Sequence, residues 1–332
     1  MTNRRRLRRV LRFEPVDRLP VIEWAPWWDQ TITRWLAEGL PESLDHDAFA
    51  IRSYFGLDAL QHCWVGAVAP GAPGPQSHGA GIVANLDDYR ALKPHLYPPE
   101  PTFDHAAVES WAEAQKPGYL AVWLTLEGFF WFPRRLLGIE PHLYAFYDQP
   151  ELMHEINRDL LAYNLRVLDE FSALCVPEFM TLAEDMSYNH GPMISKPQFD
   201  AFIAPYYREL MPRLHERGIV AFVDSDGDVA PLVPWMEEVG VQGFLPLERM
   251  AAVDVNQLRR DHPRLRMIGA FDKTVMHLGE AAMRKEFERL LPAMRSGGFI
   301  PSVDHQTPPG VSLDDYRLYL RLLREYAANT VA

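Results

Sequence analysis

Ala221-Phe222-Val223-Asp224-Ser225-Asp226-Gly227-Asp228 is an apolar run that ends abruptly in acids set two apart around a glycine. The apolar half reads as a buried strand. Asp224 and Asp226 point the same way if the strand continues, because side chains alternate with period two. Two carboxylates side by side at a strand end repel each other and solvate poorly. A chain that bears such a cost is expected to use it, by holding a cation, a proton or a polar substrate. Asp228 reads more plainly, as the cap of a following helix.

Other short apolar runs share this form. Pro20–Trp24, 57–64, 120–127, 179–185, 219–226, 242–248, 265–272 and 298–305 are eight strand candidates. Runs buried on both faces suit a parallel sheet. Between them lie segments of helical period. One is a helix opened by Ser195 and Pro197, with Phe199, Phe202, Ile203, Tyr206, Tyr207, Leu210 and Leu214 inward and Gly218 at its end. Asp228 opens another, and Ser312 caps a last one carrying Tyr316, Tyr319 and Leu323. Strand and helix alternating eight times predict an α/β protein. The expected form is a (β/α)8 TIM barrel of one domain spanning 1–332, with an N-terminal helical extension. A doubly wound open sheet is the structural alternative, but no G-x-G-x-x-G follows any strand. The Gly-, Pro- and Ala-rich stretch 65–81 reads as a long loop over the barrel mouth, either a lid or a plain surface excursion.

In such a barrel the active site is built at the carboxyl ends of the strands. Those ends read Glu23, His62, Glu127, Glu184-Asp185, Asp224-Ser225-Asp226, Glu248, Asp272-Lys273 and Asp304-His305. Singly, each has a plain reading: Glu23 as a cap, Glu127 paired with Arg134 or Arg135, Glu248 with Arg249 or Lys273, Asp304 capping a turn. Jointly they point to one cavity. Carboxylates with a histidine or two suit Zn2+, Mn2+, Fe2+ or Mg2+. The expected ligands are Asp226 and His305, with Asp224 and Glu184 as further candidates. Asp304 is a partner for the imidazole. A metal-free acid/base cluster is the competing chemistry. The expected catalytic groups are Glu184, Asp185, Lys273 and Tyr188. Glu23, Trp24, Trp27, His62, Glu127, Asn189, Glu248 and Asp272 are expected to line the substrate site, with Trp28 among the aromatic contacts.

Composition narrows the class. At 332 residues with 48% hydrophobic content the chain suits a globular core. No apolar run reaches the roughly 18 residues of a membrane span. The basic start, Met1 to Arg6, is followed by a segment too short and charged for a signal peptide. Two cysteines, Cys63 and Cys175, far apart, argue for a reducing cytoplasm and against a cysteine zinc site. The net charge of −12 argues against nucleic-acid binding; Arg4 to Arg9 read as a solvated helix face. Neither G-x-S-x-G, Walker A nor H-E-x-x-H occurs.

Arg9-Val10-Leu11-Arg12-Phe13-Glu14-Pro15-Val16-Asp17-Arg18-Leu19-Pro20 resembles the N-terminal signature of the uroporphyrinogen decarboxylase superfamily. Glu184-Asp185-Met186 with Gly191 to Ser195, then Asp224 to Asp228, then Asp304 to Pro309 are similar to its uncharacterised branch, related to zinc-dependent, corrinoid-linked methyltransferases. The resemblance implies a TIM barrel, often a homodimer. Where true uroporphyrinogen decarboxylases carry Arg-Gln-Ala-Gly-Arg, this chain reads Trp24 to Gln30 without arginine. A porphyrinogen with eight carboxylates needs cationic clamps, and these strand ends are acidic. In the methyltransferases the resemblance places zinc on a His-x-Cys and a later Cys. Asp224-Ser225-Asp226 falls at the first place and His305 near the second. The expectation is metal-assisted methyl transfer or demethylation of a small organic substrate, zinc being the preferred metal. Any corrinoid would come from a partner protein. Metal-free decarboxylation is the alternative, and a tetrapyrrole- or corrinoid-binding carrier is an alternative of another class.

Overall fold

The computed structural model describes residues 1–45, 47–100 and 102–330. Its strands are β1 (Leu60–Val65), β2 (Ala121–Glu127), β3 (Phe179–Ala183), β4 (Ser187–Tyr188), β5 (Gly191–Pro192), β6 (Val220–Asp224), β7 (Gly243–Leu245), β8 (Arg266–Phe271) and β9 (Phe299–Val303). Seven form one parallel sheet in the order β1-β2-β3-β6-β7-β8-β9, and β4-β5 form a small hairpin. Each sheet strand pairs with the next strand of that sheet along the chain, and helices separate most of them, so the sheet curls as in a TIM-barrel-like fold.

The expected first strand makes no ladder. Pro20–Trp24 runs extended between the two ends of the sheet instead. The Val21 carbonyl accepts from the backbone N–H of Asp58 (2.8 Å), and the Trp24 indole donates to the carbonyl of Val303 (2.7 Å). The buried Arg52 guanidinium takes the carbonyls of Glu23 and Trp24 (3.0 and 3.3 Å), groups that a strand would offer to its neighbour. Two expected helices also differ. The one opened by Ser195 has a capping box with Gln198, but breaks at Ile203 into Lys196–Phe202 and Ala204–Glu216. Pro205, without an N–H, sits in the first turn of the second. Asp228 caps a turn through the N–H of Ala230 (3.1 Å), and the helix starts later, at Val233–Glu238. Ser312 caps Leu313–Asn329 as expected, in a box with Asp315.

A column of rings fills the centre. Trp123 stacks on His62 (centroids 3.8 Å) and packs against Phe179 (5.4 Å), Phe179 packs against Phe222 (5.4 Å), and Trp24 reaches Trp123 (6.5 Å). The polar atoms in this column are paired. His62 Nε2 meets Thr125 Oγ1 (2.8 Å), which meets Thr181 Oγ1 (2.5 Å), and the Trp123 indole donates to Thr181 (2.9 Å). Among the described residues no helix is long and apolar enough to cross a membrane.

His142 is one of several side chains with unpaired buried polar atoms among the described residues. It is fully buried between Phe130 and Phe146, and neither ring nitrogen has a partner among the described residues. Burial, with Arg134 adding to it, pushes its pKa down to about 3. The fold therefore favours the neutral ring. That stability is present above the unfolded value near 6.5 and is lost as pH falls toward 3, by up to about 1.4 kcal/mol per pH unit. Replacing His142 with Leu is expected to stabilise by about 1–3 kcal/mol at pH 8, by removing the unpaired nitrogens. The gain is larger at pH 5. Denaturant melts at the two pH values check this; equal shifts at both would sink it.

Candidate active site

The loop after β6 is shaped by its neighbours. The N–H groups of Glu184 and Asp185 both donate to the Asp224 carbonyl (2.9 and 3.1 Å), so the ends of β3 and β6 stay together. Ser225 Oγ accepts from the Met186 N–H (3.1 Å). Gly227 has φ +81° and lies so close to the hairpin that a Cβ there would come within 2.7 Å of the Tyr188 backbone. The Asp228 N–H then donates to the Tyr188 carbonyl (2.9 Å). This contact locks the β4-β5 hairpin against the acidic loop and aims Asp226 at the mouth.

There Asp226 meets His305, with Oδ2 3.5 Å from Nε2. One ligand atom each from Asp226, Glu248 and His305 lies within 4.8 Å of the others. Glu248 is held from two sides, by the Gly227 N–H (3.1 Å) and by Lys273 Nζ (3.3 Å). Asp304, fully buried, accepts from the N–H groups of Arg249 (2.9 Å) and Lys273 (3.2 Å), and so fixes the segments that carry Glu248 and Lys273. Its position is behind the cluster rather than on the imidazole.

Electrostatics follow chiefly from burial. Burial, then Asp226 and Asp185, pushes Asp224 up to about 8. Asp185 is pushed up to about 6 by burial, with Arg134 opposing. Burial likewise lifts Asp304 to about 6 against the pull of Lys273. Contact with the Asp226 carboxylate raises His305. Asp185 has φ +40°, rare for a residue with a side chain, and Arg134 Nη1 holds it there by its carboxylate (2.9 Å) and its carbonyl (3.0 Å).

Several expected site residues lie elsewhere. Glu184, expected as a ligand and catalyst, is buried and saturated. It accepts the N–H groups of Phe129 (2.9 Å), Phe130 (2.7 Å) and Trp131 (3.2 Å), and the Tyr207 hydroxyl (2.6 Å). It caps the helix Trp131–Leu137. A Cβ on Gly128 would run into its carboxyl group. Glu23 turns to Ser302 and Tyr316, and burial lifts it to about 7. Glu127 pairs with Arg135. His62, with burial pushing it down to about 3, belongs to the central column, as does Trp24. Trp27 packs with Trp35, Phe55 and Tyr316, away from the acids. Asp272 caps its own turn at Thr274. Tyr188 and Asn189 stand exposed on the hairpin, and Trp28 is exposed. Arg134, read from the sequence as a candidate partner of Glu127, holds Asp185 instead, and Glu248 is the member of the cluster that sequence reasoning did not expect as a ligand.

Beside the mouth, the loop spanning Val68 to Ile82 arches over the helix Trp131–Leu137, tied down by bridges Val68–Leu96 and Ala80–Gly138. It encloses a cleft of about 590 Å3 walled by Val68, Pro73, Ile82, Trp131 and Ile139, with Arg134 and Arg135 on its border. Arg134 thus joins an apolar cleft to the acidic cluster.

Residues 136–326 match the family described as uroporphyrinogen decarboxylase (URO-D). The chain belongs to the URO-D family. No curated protein matches it. Among solved structures this URO-D-family chain is similar to a methyltransferase from Methanosarcina mazei, with TM-score 0.67, 15% identity, and coverage of 98% of this chain and 99% of that one. It is also similar to a putative vitamin-B12 independent methionine synthase from Listeria monocytogenes, with TM-score 0.47, 13% identity and coverage of 94% and 97%. The first likeness speaks to the fold; the second is too distant to carry an argument. The matched family region contains Asp185, Asp224, Asp226, Glu248, Lys273 and His305.

Proposed function

We propose that this URO-D-family enzyme carries out metal-assisted methyl transfer on a small organic substrate at the mouth of its curled sheet. The observation that carries the reading is the convergence of Asp226, Glu248 and His305. Two carboxylates and an imidazole are a hard-to-borderline donor set, and three protein ligands leave open positions for substrate, as in catalytic sites. Glu248 takes the place that Asp224 and Glu184 were expected to share. A divalent cation bound there, zinc by preference, supplies Lewis acidity that lowers the pKa of a thiol or hydroxyl. Asp185, posed by Arg134, is placed to accept the proton that the acceptor loses as its bond to the methyl carbon forms. Lys273 fixes Glu248, and the Val68–Ile82 cleft offers room for an apolar substrate group. A methylated corrinoid presented by a partner protein is the proposed methyl donor: its cobalt–carbon bond would break as the new bond forms, and the electron pair would leave with the corrinoid.

A second reading is metal-free decarboxylation. It is favoured by Asp224, whose carboxyl group is pushed up to about 8 by burial and then by Asp226 and Asp185, which suits it to deliver a proton to a carbanion. One experiment separates the two. Zinc-loaded protein, methylcobalamin and a panel of small thiols are expected to yield methyl thioethers, and EDTA is expected to abolish the yield. Transfer that persists in EDTA contradicts the metal reading; loss of CO2 from a carboxylated substrate in EDTA supports the second.

A further inference from the structure

At the opposite end of the sheet lies a basic concavity that the proposed reaction does not use. The helix Asn3–Leu11 carries Arg4, Arg5, Arg8 and Arg9, and Arg12 follows at its C-cap. Steps of three and four gather these on one face, while Leu7, Val10 and Leu11 are buried on the other. With Lys116, from the turn before β2, they line a hollow of about 600 Å3. The Arg4 N–H donates to the Gly118 carbonyl (3.1 Å), and Arg266, the first residue of β8, donates to the Leu11 carbonyl (2.9 Å). Both contacts place the hollow at the amino ends of the strands.

Its charge is poorly balanced. Arg4 has Glu178 (2.6 Å), Arg9 has Glu14 (3.2 Å) and Lys116 has Glu113 (2.5 Å). The side chains of Arg5, Arg8 and Arg12 have no ion pair or hydrogen bond among the described residues. Burial, and then Arg12 and Arg4, lowers the pKa of Arg8 against the pull of Glu178. In a chain of net charge −12, three guanidiniums without an ion pair, in a hollow whose one acidic lining residue is Glu14, are a local reversal of the field.

We propose that this hollow binds a polyphosphate chain, inorganic or carried by a nucleotide. Guanidinium groups match phosphate oxygens two at a time, and the hollow has the size of a small-ligand site. No aromatic residue lines it, so the phosphate chain and not a base is what it recognises. The lining cations converge on one concavity, and Arg259, Arg264 and Arg266 beyond it gather on the Phe13 ring, so a compact polyphosphate is favoured and a nucleic acid strand is left as an outcome of the test. The helix buries its apolar face in the fold and has none to insert into a membrane.

Calorimetric titration of the full chain with tripolyphosphate tests this, in EDTA so that metal chelation at the mouth adds nothing. Saturable one-to-one binding is expected, weaker at about 200 mM than at about 50 mM salt, with ATP binding about as tightly as tripolyphosphate. Arg5→Glu with Arg8→Glu is expected to weaken binding on the order of tenfold or more. If that double variant melts early, Arg8→Gln alone carries the test. The proposal is overturned by absence of saturable binding, by unchanged affinity in the arginine variants, or by binding of single-stranded RNA or anionic vesicles where tripolyphosphate gives none. It stands apart from the proposed reaction, so failure of one leaves the other intact.

Discussion

Glu184→Ala is expected to destabilise the fold by about 4 kcal/mol or more, because it strands four donors, three of them buried, each buried one costing about 1–3 kcal/mol when unpaired. Those donors are the N–H groups of Phe129, Phe130 and Trp131 and the hydroxyl of Tyr207. The damage spreads to the mouth, since the helix that Glu184 caps carries Arg134, which holds Asp185. Glu184→Gln does not restore the site: one oxygen becomes an NH2 group facing other donors. Tyr207→Phe removes a single partner and is expected to cost about 1–2 kcal/mol. Equilibrium unfolding in denaturant measures all three. Wild-type stability in Glu184→Ala would show that the carboxylate is not the cap described here.

The role of Glu184 also shows where sequence reading stops. Asp224 and Glu184 look alike in the chain: each ends an apolar run, and each has a second acid close behind it. What separates them is the partner. The backbone donors to Glu184 lie more than fifty residues earlier, in a stretch whose backbone turns only in the folded chain. The strand order was readable because successive parallel strands repeat one pattern. Pro20–Trp24 shared that pattern but lost its ladder to a side chain, Arg52, that no periodicity announces. Ser195 and Ser312 were readable as caps because a capping box is local. Asp226 and His305 were readable as neighbours because both follow strand ends. Glu248 was expected in the substrate lining or as an ion-pair partner of Arg249 or Lys273, not as a ligand, and the structure brings it to Asp226 and His305 as well as to Lys273.

The second large effect concerns the cluster itself. Asp226→Ala, Glu248→Ala and His305→Ala are each expected to weaken zinc binding by at least about 100-fold, the upper end of what losing a mere supporting partner costs. Trp28→Ala, at an exposed position, and Asp272→Ala act as controls: where folded, they are expected to keep the affinity of the wild type. Competition against a chromogenic chelator reads all five. Equal affinities across the set would dissolve the assignment of ligands.

Most direct is the metal content of the wild-type chain, purified without chelators and analysed by mass spectrometry of the elements. About one equivalent of a divalent transition metal per chain is expected, reduced to background in Asp226→Ala. Metal-free wild-type protein that neither takes up zinc or manganese nor gains thermal stability from them would contradict the account.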